Sequence, residues 1–313
     1  MIKLKPTYKT MLWGGTKIRD VLHKDTGNLK RIAESWELST HPNGKSVIIG
    51  GEFDGRTLDE YLDSVGWELF GEYAKKWHQL PIMIKYIDAR ENLSVQVHPT
   101  DKYTKRHEAD GGKNEMWFIL DADETAFIYL GFKRDVTKDE VRLAIENGKI
   151  EELLNRIPVK KGEVYYIPAG TVHAIGAGCL LCEVQQTSDA TYRLYDYGRL
   201  DDDGTPRPCH LKDGLAVLNC KKTALSTRRS GAAKKRAENM LGEIEKLTLS
   251  EYNAEGESAY FFPSAKFIVA LVLEGKGTIE GYDKVDTVQG DTWILTESSV
   301  KISGNCRILI VSY

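Results

Sequence analysis

The chain has 313 residues, 41% of them apolar, which is enough to bury a sizeable core in two domains or one large one. Its 43 basic and 46 acidic side chains leave a net charge of -3, which argues against nucleic acid or an anionic membrane as the main partner. Five cysteines form an odd set and point to reduced thiols rather than a disulfide framework. The opening MIKLKPTYKTMLWGG lacks the apolar stretch of a signal peptide, and no run of about 18 apolar residues follows it. A soluble, cytoplasmic protein with no obligate protein partner is expected.

In chain order, residues 57–65 are predicted to form a helix, with Thr57 and Asp59 at its start. Residues 93–98 alternate as a strand, with Leu93, Val95 and Val97 on one face and Ser94, Gln96 and His98 on the other. A strand pair is expected at 116–132, then one or two short helices over 137–155, where Thr137 and Glu140 fit a capping box. Residues 158–184 and 286–311 repeat one pattern: a Gly-acid pair (Gly162-Glu163, Gly290-Asp291), an apolar strand, a polar turn and a second apolar strand. A further strand pair at 267–282 matches the one at 116–132, with EGKG as its hairpin turn. Two copies of one β unit predict a mostly β fold of tandem jelly-roll barrels with a few short helices. A short helical turn is expected at 211–219. The run 221–237 holds seven basic residues and no acidic one, and reads as a solvated linker face because no aromatic interleaves with the charges. The boundaries that follow are 1–220, a 221–240 linker and 241–313. Cys179 and Cys182 have C-x-x-C spacing, but Leu180, Leu181 and Val184 mark a buried strand there.

Several polar residues sit where apolar ones are expected. Glu115 shares a strand face with Trp117 and Ile119, and Glu183 shares one with Leu181. A carboxylate in such company is costly unless it is paired or bound to a metal. The turn at Pro168 and Gly170 delivers His173 between Val172 and Ala174. Gln96, His98, Glu115 and His173 together suit zinc, which accepts imidazole nitrogen and carboxylate oxygen. Gln96 is either a weak neutral ligand or a support for one. With no cysteine in the set, a catalytic site fits better than a structural one. The barrel core is expected from Val95, Val97, Trp117 and Ile167.

Gly162, Pro168, Gly170 and His173 match the second cupin motif, G-x5-P-x-G-x2-H, at every spacing. The first cupin motif is altered: Gln96-Val97-His98-Pro99 replaces H-x-H, and Glu115, within Lys113-Asn114-Glu115, follows His98 by 17 positions. Glu183 is followed ten positions later by Arg193. With WGG at 13–15 and ESWELS at 34–39, the chain resembles the short bacterial branch of the type I mannose-6-phosphate isomerases over nearly its whole length.

The resemblance implies one zinc ion per chain, held by His98, Glu115 and His173, with Gln96 as a fourth ligand. It implies an essential Arg193, Lys113 near the sugar, Glu183 supporting the site and Arg199 as anchor for the phosphate. Ser94 is expected at the substrate. Lys113, Glu183 and a zinc-bound hydroxide are all able to act as the base. An extended strand over 193–199 places Arg193, Tyr195, Tyr197 and Arg199 on one face. When Gly290 is aligned on Gly162, Lys301 falls at the position of His173, so the second copy is expected to hold no equivalent metal. Two other readings are an isomerase or epimerase of another phosphorylated sugar and a non-catalytic metal-binding carbohydrate sensor.

Overall fold

The two copies of the repeated unit turn in the same way, for the same chemical reason. Gly162 and Gly290 have φ of 86° and 91°, a region that side chains rarely enter. The Gly162 N–H donates to the carbonyl of Ile119 at 2.7 Å, and that of Gly290 to Val272 at 2.9 Å. The acid that follows closes each turn: Glu163 accepts from the Lys160 N–H at 2.8 Å, and Asp291 accepts from the Val288 N–H at 3.1 Å.

The computed structural model describes residues 1–107, 110–201, 204–224, 228–229, 235–240, 246–262 and 264–313. Its fold is mostly β. A seven-stranded antiparallel sheet has Glu115–Ala122, Cys179–Gln186 and Ile82–Ala89 side by side near its centre. A five-stranded sheet contains Val95–Val97, His173–Ile175 and Phe127–Phe132. Trp117, Ile119, Tyr165 and Leu181 of the first sheet share one core with Ile128, Leu130 and Ile175 of the second. That interior also receives the polar residues singled out above.

The opposite face of the seven-stranded sheet is apolar too. Ile84, Tyr86, Met116, Phe118 and Val184 pack against Val269, Leu271, Leu309 and Val311 of the C-terminal sheet and against Leu58 and Leu62. In the C-terminal sheet, Lys246–Phe261, Ile268–Glu280 and Ser299–Ser312 pair along most of their length. Gly304 lies opposite both Gly256 and Gly277. A Cβ on Gly304 would stand 2.7 Å from the Gly277 Cα, so only glycine allows the strands to cross there. Residues on both sides of that crossing, Ile268 and Ile310 with Val300 and Ile302, enter one core.

The first strand, Ile2–Lys5, joins this C-terminal sheet by pairing with Thr292–Leu295. A buried polar knot adds to the junction. The Lys24 ammonium lies 2.6 Å from Glu37 and donates to the Gly290 carbonyl at 2.7 Å, while the Thr292 hydroxyl donates to the same carboxylate.

Helices form at Leu58–Val65, Lys138–Glu146 and Leu211–Val217, as expected, with Ile150–Leu153 as a separate 3-10 turn. The Thr137–Glu140 box is present, with bonds of 2.7 and 3.1 Å. At the first helix the reciprocal acid is Glu60, which accepts from the Thr57 N–H at 2.9 Å. Helices at Lys17–Asp20, Glu72–Trp77 and Asp101–His107 were not anticipated. Val95 and Val97 do not line the interior between the sheets; they pack outward with Val141 and Leu194, because the inward face of their strand carries Gln96. In the basic run, 225–227 and 230–234 lie outside the described residues. Arg228–Arg229 pairs with Glu163 and Val164, and Lys235–Met240 pairs with the strand that begins at Lys246.

Candidate active site

Three strand ends bring the ligand-type residues together. His98 follows Val95–Val97, Glu115 opens Glu115–Ala122, and His173 opens His173–Ile175. All three are buried, and one donor atom from each lies within 4.8 Å of the others. His98 Nε2 is 3.0 Å from Glu115 Oε1, and His173 Nε2 is 3.6 Å from Glu115 Oε2. Gln96 joins the group, with Nε2 3.3 Å from His173 Nε2.

The outer nitrogens of the imidazoles decide their tautomers. His98 Nδ1 is 2.9 Å from the Ala190 carbonyl, and His173 Nδ1 is 2.9 Å from the Thr171 carbonyl. A carbonyl only accepts, so each Nδ1 carries the proton and each Nε2 presents a lone pair inward. Burial, with the Lys113 charge nearby, pushes His98 down, and burial pushes His173 down to about 3, so both rings are neutral. Burial also pushes the Glu115 carboxyl up, but the charge of Lys113 at 2.7 Å outweighs it and holds the group well below the usual carboxylate range. Two lone pairs therefore converge on an ionised carboxylate. His98 Nε2 and Glu115 Oε2 have no hydrogen-bond partner among the described residues, and Glu115 Oε1 meets the Lys113 ammonium at 2.7 Å. Buried acceptors without a donor are costly, and a cation among them removes the cost. Two imidazoles, a carboxylate and an amide fit zinc.

A cavity of about 280 Å³ opens beside this centre. Ser94, Gln96, Lys113, Glu183 and Arg193 line it, together with Glu34, Lys85, Asp189 and Arg207. Lys113 lies 2.7 Å from Glu115; burial works against its charge, but Glu115 and Glu183 hold its pKa above the usual lysine value. Glu183 accepts from the Trp117 indole N–H at 2.9 Å, and burial, reinforced by Glu115, pushes it up to about 7. The Ser94 hydroxyl is 3.5 Å from Gln96 Oε1. Arg193 donates to the Pro208 carbonyl at 2.8 Å, its Nε has no partner, and among the described residues it has no carboxylate within ion-pair distance.

Arg199 is not brought into this wall. The strand ends at Tyr195, and Tyr197 takes a left-handed φ of 57°, so the extended 193–199 strand does not form. Arg199 instead pairs with Asp196 and donates to the Asn92 carbonyl. Arg207 occupies the cavity in its place, 3.2 Å from Asp196. The segment reaches the cavity because the His210 N–H donates to the Arg193 carbonyl at 2.7 Å and His210 Nδ1 accepts from the Arg193 N–H at 3.2 Å.

Sequence reasoning missed Arg207, Lys85 and Glu34. The last two form a pair at 3.4 Å, with the Lys85 ammonium 4.4 Å from the centre of a Trp36 ring. Lys85 left a signal, a lone charge within the apolar run PIMIKYI. The WGG segment also gains a reason. A Cβ on Gly14 would stand 2.7 Å from the Ala33 nitrogen, and one on Gly15 2.5 Å from Asp88, so both glycines let Trp13 close the cavity.

Fold and site together define a mostly β protein with a candidate metal centre that opens onto a cation-lined cavity. Residues 1–130 match the type I phosphomannose isomerase catalytic domain. The chain is 36% identical to the mannose-6-phosphate isomerase of Streptococcus mutans, over 95% of this chain and 93% of that protein. It is 38% identical to a mannose-6-phosphate isomerase of Bacillus subtilis, over 87% and 85%. The crystal structure of the mannose 6-phosphate isomerase from Bacillus subtilis superposes with a TM-score of 0.86 at 30% identity, covering 100% of this chain and 99% of that one. The chain belongs to the type I mannose-6-phosphate isomerase family, and it is an aldose–ketose isomerase.

Proposed function

We propose that this chain interconverts mannose 6-phosphate and fructose 6-phosphate in the cytoplasm, using one zinc ion per chain. His98, Glu115 and His173 would hold the ion, with Gln96 as fourth ligand. When bound, zinc supplies Lewis-acid polarisation of the sugar carbonyl. The observation that carries this reading is the convergence of two imidazole lone pairs on one buried, ionised carboxylate.

The chain's own residues account for the rest of the reaction. Moving a proton between C1 and C2 needs a base that can take it and return it. Glu183 supports this role: it lines the cavity, burial raises its pKa to about 7, and it accepts from the Trp117 indole N–H. Lys113 is held charged by its two acidic neighbours, so it acts as a fixed cation near the sugar. Arg193, whose Nε has no partner among the described residues, can favour negative charge developing on the sugar oxygens. Ser94 offers a hydroxyl to the same cavity. The substrate phosphate needs a cation, and Arg207 lines the cavity, paired with Asp196 and Asp201, while Arg199, bound to Asp196 and the Asn92 carbonyl, does not. The C-terminal sheet, with the first strand, forms the supporting body in this reading.

The test is a coupled assay converting mannose 6-phosphate to fructose 6-phosphate, before and after chelation and after zinc is restored. Activity that vanishes and returns is expected. Undiminished turnover by metal-free protein overturns the zinc assignment. Faster turnover of another sugar phosphate overturns the substrate assignment, and no turnover of any favours a sensor.

A further inference from the structure

Asn114 stands between Lys113 and Glu115, and its side chain does not enter the cavity. It is buried, and every polar atom it has is used. Its N–H and its side-chain Nδ2 both donate to Gln186 Oε1, the first at 3.0 Å. Its carbonyl accepts from the Gln186 N–H at 3.1 Å. Its Oδ1 accepts from the Ala169 N–H at 2.9 Å and from the Tyr166 hydroxyl at 3.4 Å. The amide orientations follow from chemistry: Ala169 N–H only donates, and Gln186 Nε2 must donate to the carboxylate of Asp101, at 3.1 Å.

These bonds tie together the segments that carry the three ligand-type residues. Ala169 lies in the turn that delivers His173, and the Gly170 N–H in that turn donates to the His98 carbonyl at 2.8 Å. The Lys113 N–H donates to the Pro99 carbonyl at 3.0 Å, and Asp101 accepts from the Gly112 N–H at 3.0 Å. Asn114 thus braces the backbone beside Glu115 against the His173 turn directly, and against the His98 loop through Gln186 and Asp101.

We infer that Asn114 is a positioning residue, which with Gln186 sets the spacing of His98, Glu115 and His173 and thereby the affinity of the site for its metal. The inference rests on the zinc reading above. The carboxamide supplies a donor to Gln186 and an acceptor to Ala169 from two separate atoms of one side chain. Groups that orient ligands in this way typically change metal affinity 10- to 100-fold when removed.

The experiment measures zinc affinity of the full chain by competition with a chromophoric chelator, alongside the thermal midpoint of the metal-free protein. Asn114→Ala and Gln186→Ala are each expected to weaken zinc binding by about 10- to 100-fold. A lower midpoint with parental zinc affinity overturns the inference, because that is what mere structural support does. Should Asn114→Ala fail to fold, Asn114→Asp decides, since it keeps the size and the acceptor but sets a carboxylate against Gln186 Oε1. Weaker zinc binding supports the role, and parental affinity overturns it. A parent chain that takes up no zinc overturns the zinc reading itself, and this inference with it.

Discussion

The turns at Gly162 and Gly290 share their backbone bonds, yet the strands after them carry different chemistry. After the first, His173 is buried with its Nδ1 fixed by a carbonyl and its Nε2 aimed at Glu115. After the second, Lys301 at the corresponding position is 40% exposed and reaches Glu257 at 3.0 Å. Glycine and an acid suffice to build the turn, whereas the site needs residues from three separate strand ends. A duplicated β unit can therefore keep its geometry and lose its chemistry independently.

Removing ligands breaks the comparison most sharply. His98→Ala and His173→Ala should each lose metal and lower turnover by about 10³-fold, since polarisation by a metal is worth several kcal/mol and each 1.36 kcal/mol is tenfold. Circular dichroism should show the fold retained, because Trp117 and Ile167 remain packed; global unfolding of both variants would make the metal structural. Elemental analysis should find one zinc per chain, and two tightly bound ions would give the second copy a site of its own.

The arginines test whether the first copy's cavity is as asymmetric as its wall. Arg193→Ala should lower kcat by about 10- to 100-fold, the range expected for a charge-assisted bond worth about 1.5–3 kcal/mol, with little change in KM. Arg207→Ala should mainly raise KM for the phosphorylated sugar, and Arg199→Ala should raise it less. The reverse order in steady-state kinetics returns the phosphate to Arg199. The smallest effect belongs to Lys301→Ala, which should leave turnover within twofold; a tenfold fall at unchanged stability would tie the second copy to catalysis.

His98, Glu115 and His173 were legible because each places a polar group in an apolar strand at a spacing with few other uses. The repeat was legible because its turns demand glycine. Arg207 was not, because its place depends on tertiary contacts, its own pairs with Asp196 and Asp201 and the bonds of His210 to Arg193 across 17 residues. Arg199 misled because one left-handed residue, Tyr197, ends the alternation on which its placement depended. The helix Glu72–Trp77 escaped notice because it buries only Ala74, leaving no apolar period to read.

The pairing of Ile2–Lys5 with Thr292–Leu295 also bears on how the chain is made. During synthesis the first strand can pair with Val47–Ile49 on one edge, but its other edge has no partner until residues 292–294 have been added. At about 5–20 residues per second, that wait is on the order of 15–60 s. Through that interval the site-bearing half can close its own two sheets, but the apolar face of Ile84, Met116, Phe118 and Val184 has the cover of Leu58 and Leu62 without that of the complete C-terminal sheet. A nascent chain stalled short of residue 292 presents that face to whatever it meets, so truncated forms should be captured by chaperones or aggregate rather than accumulate as active fragments.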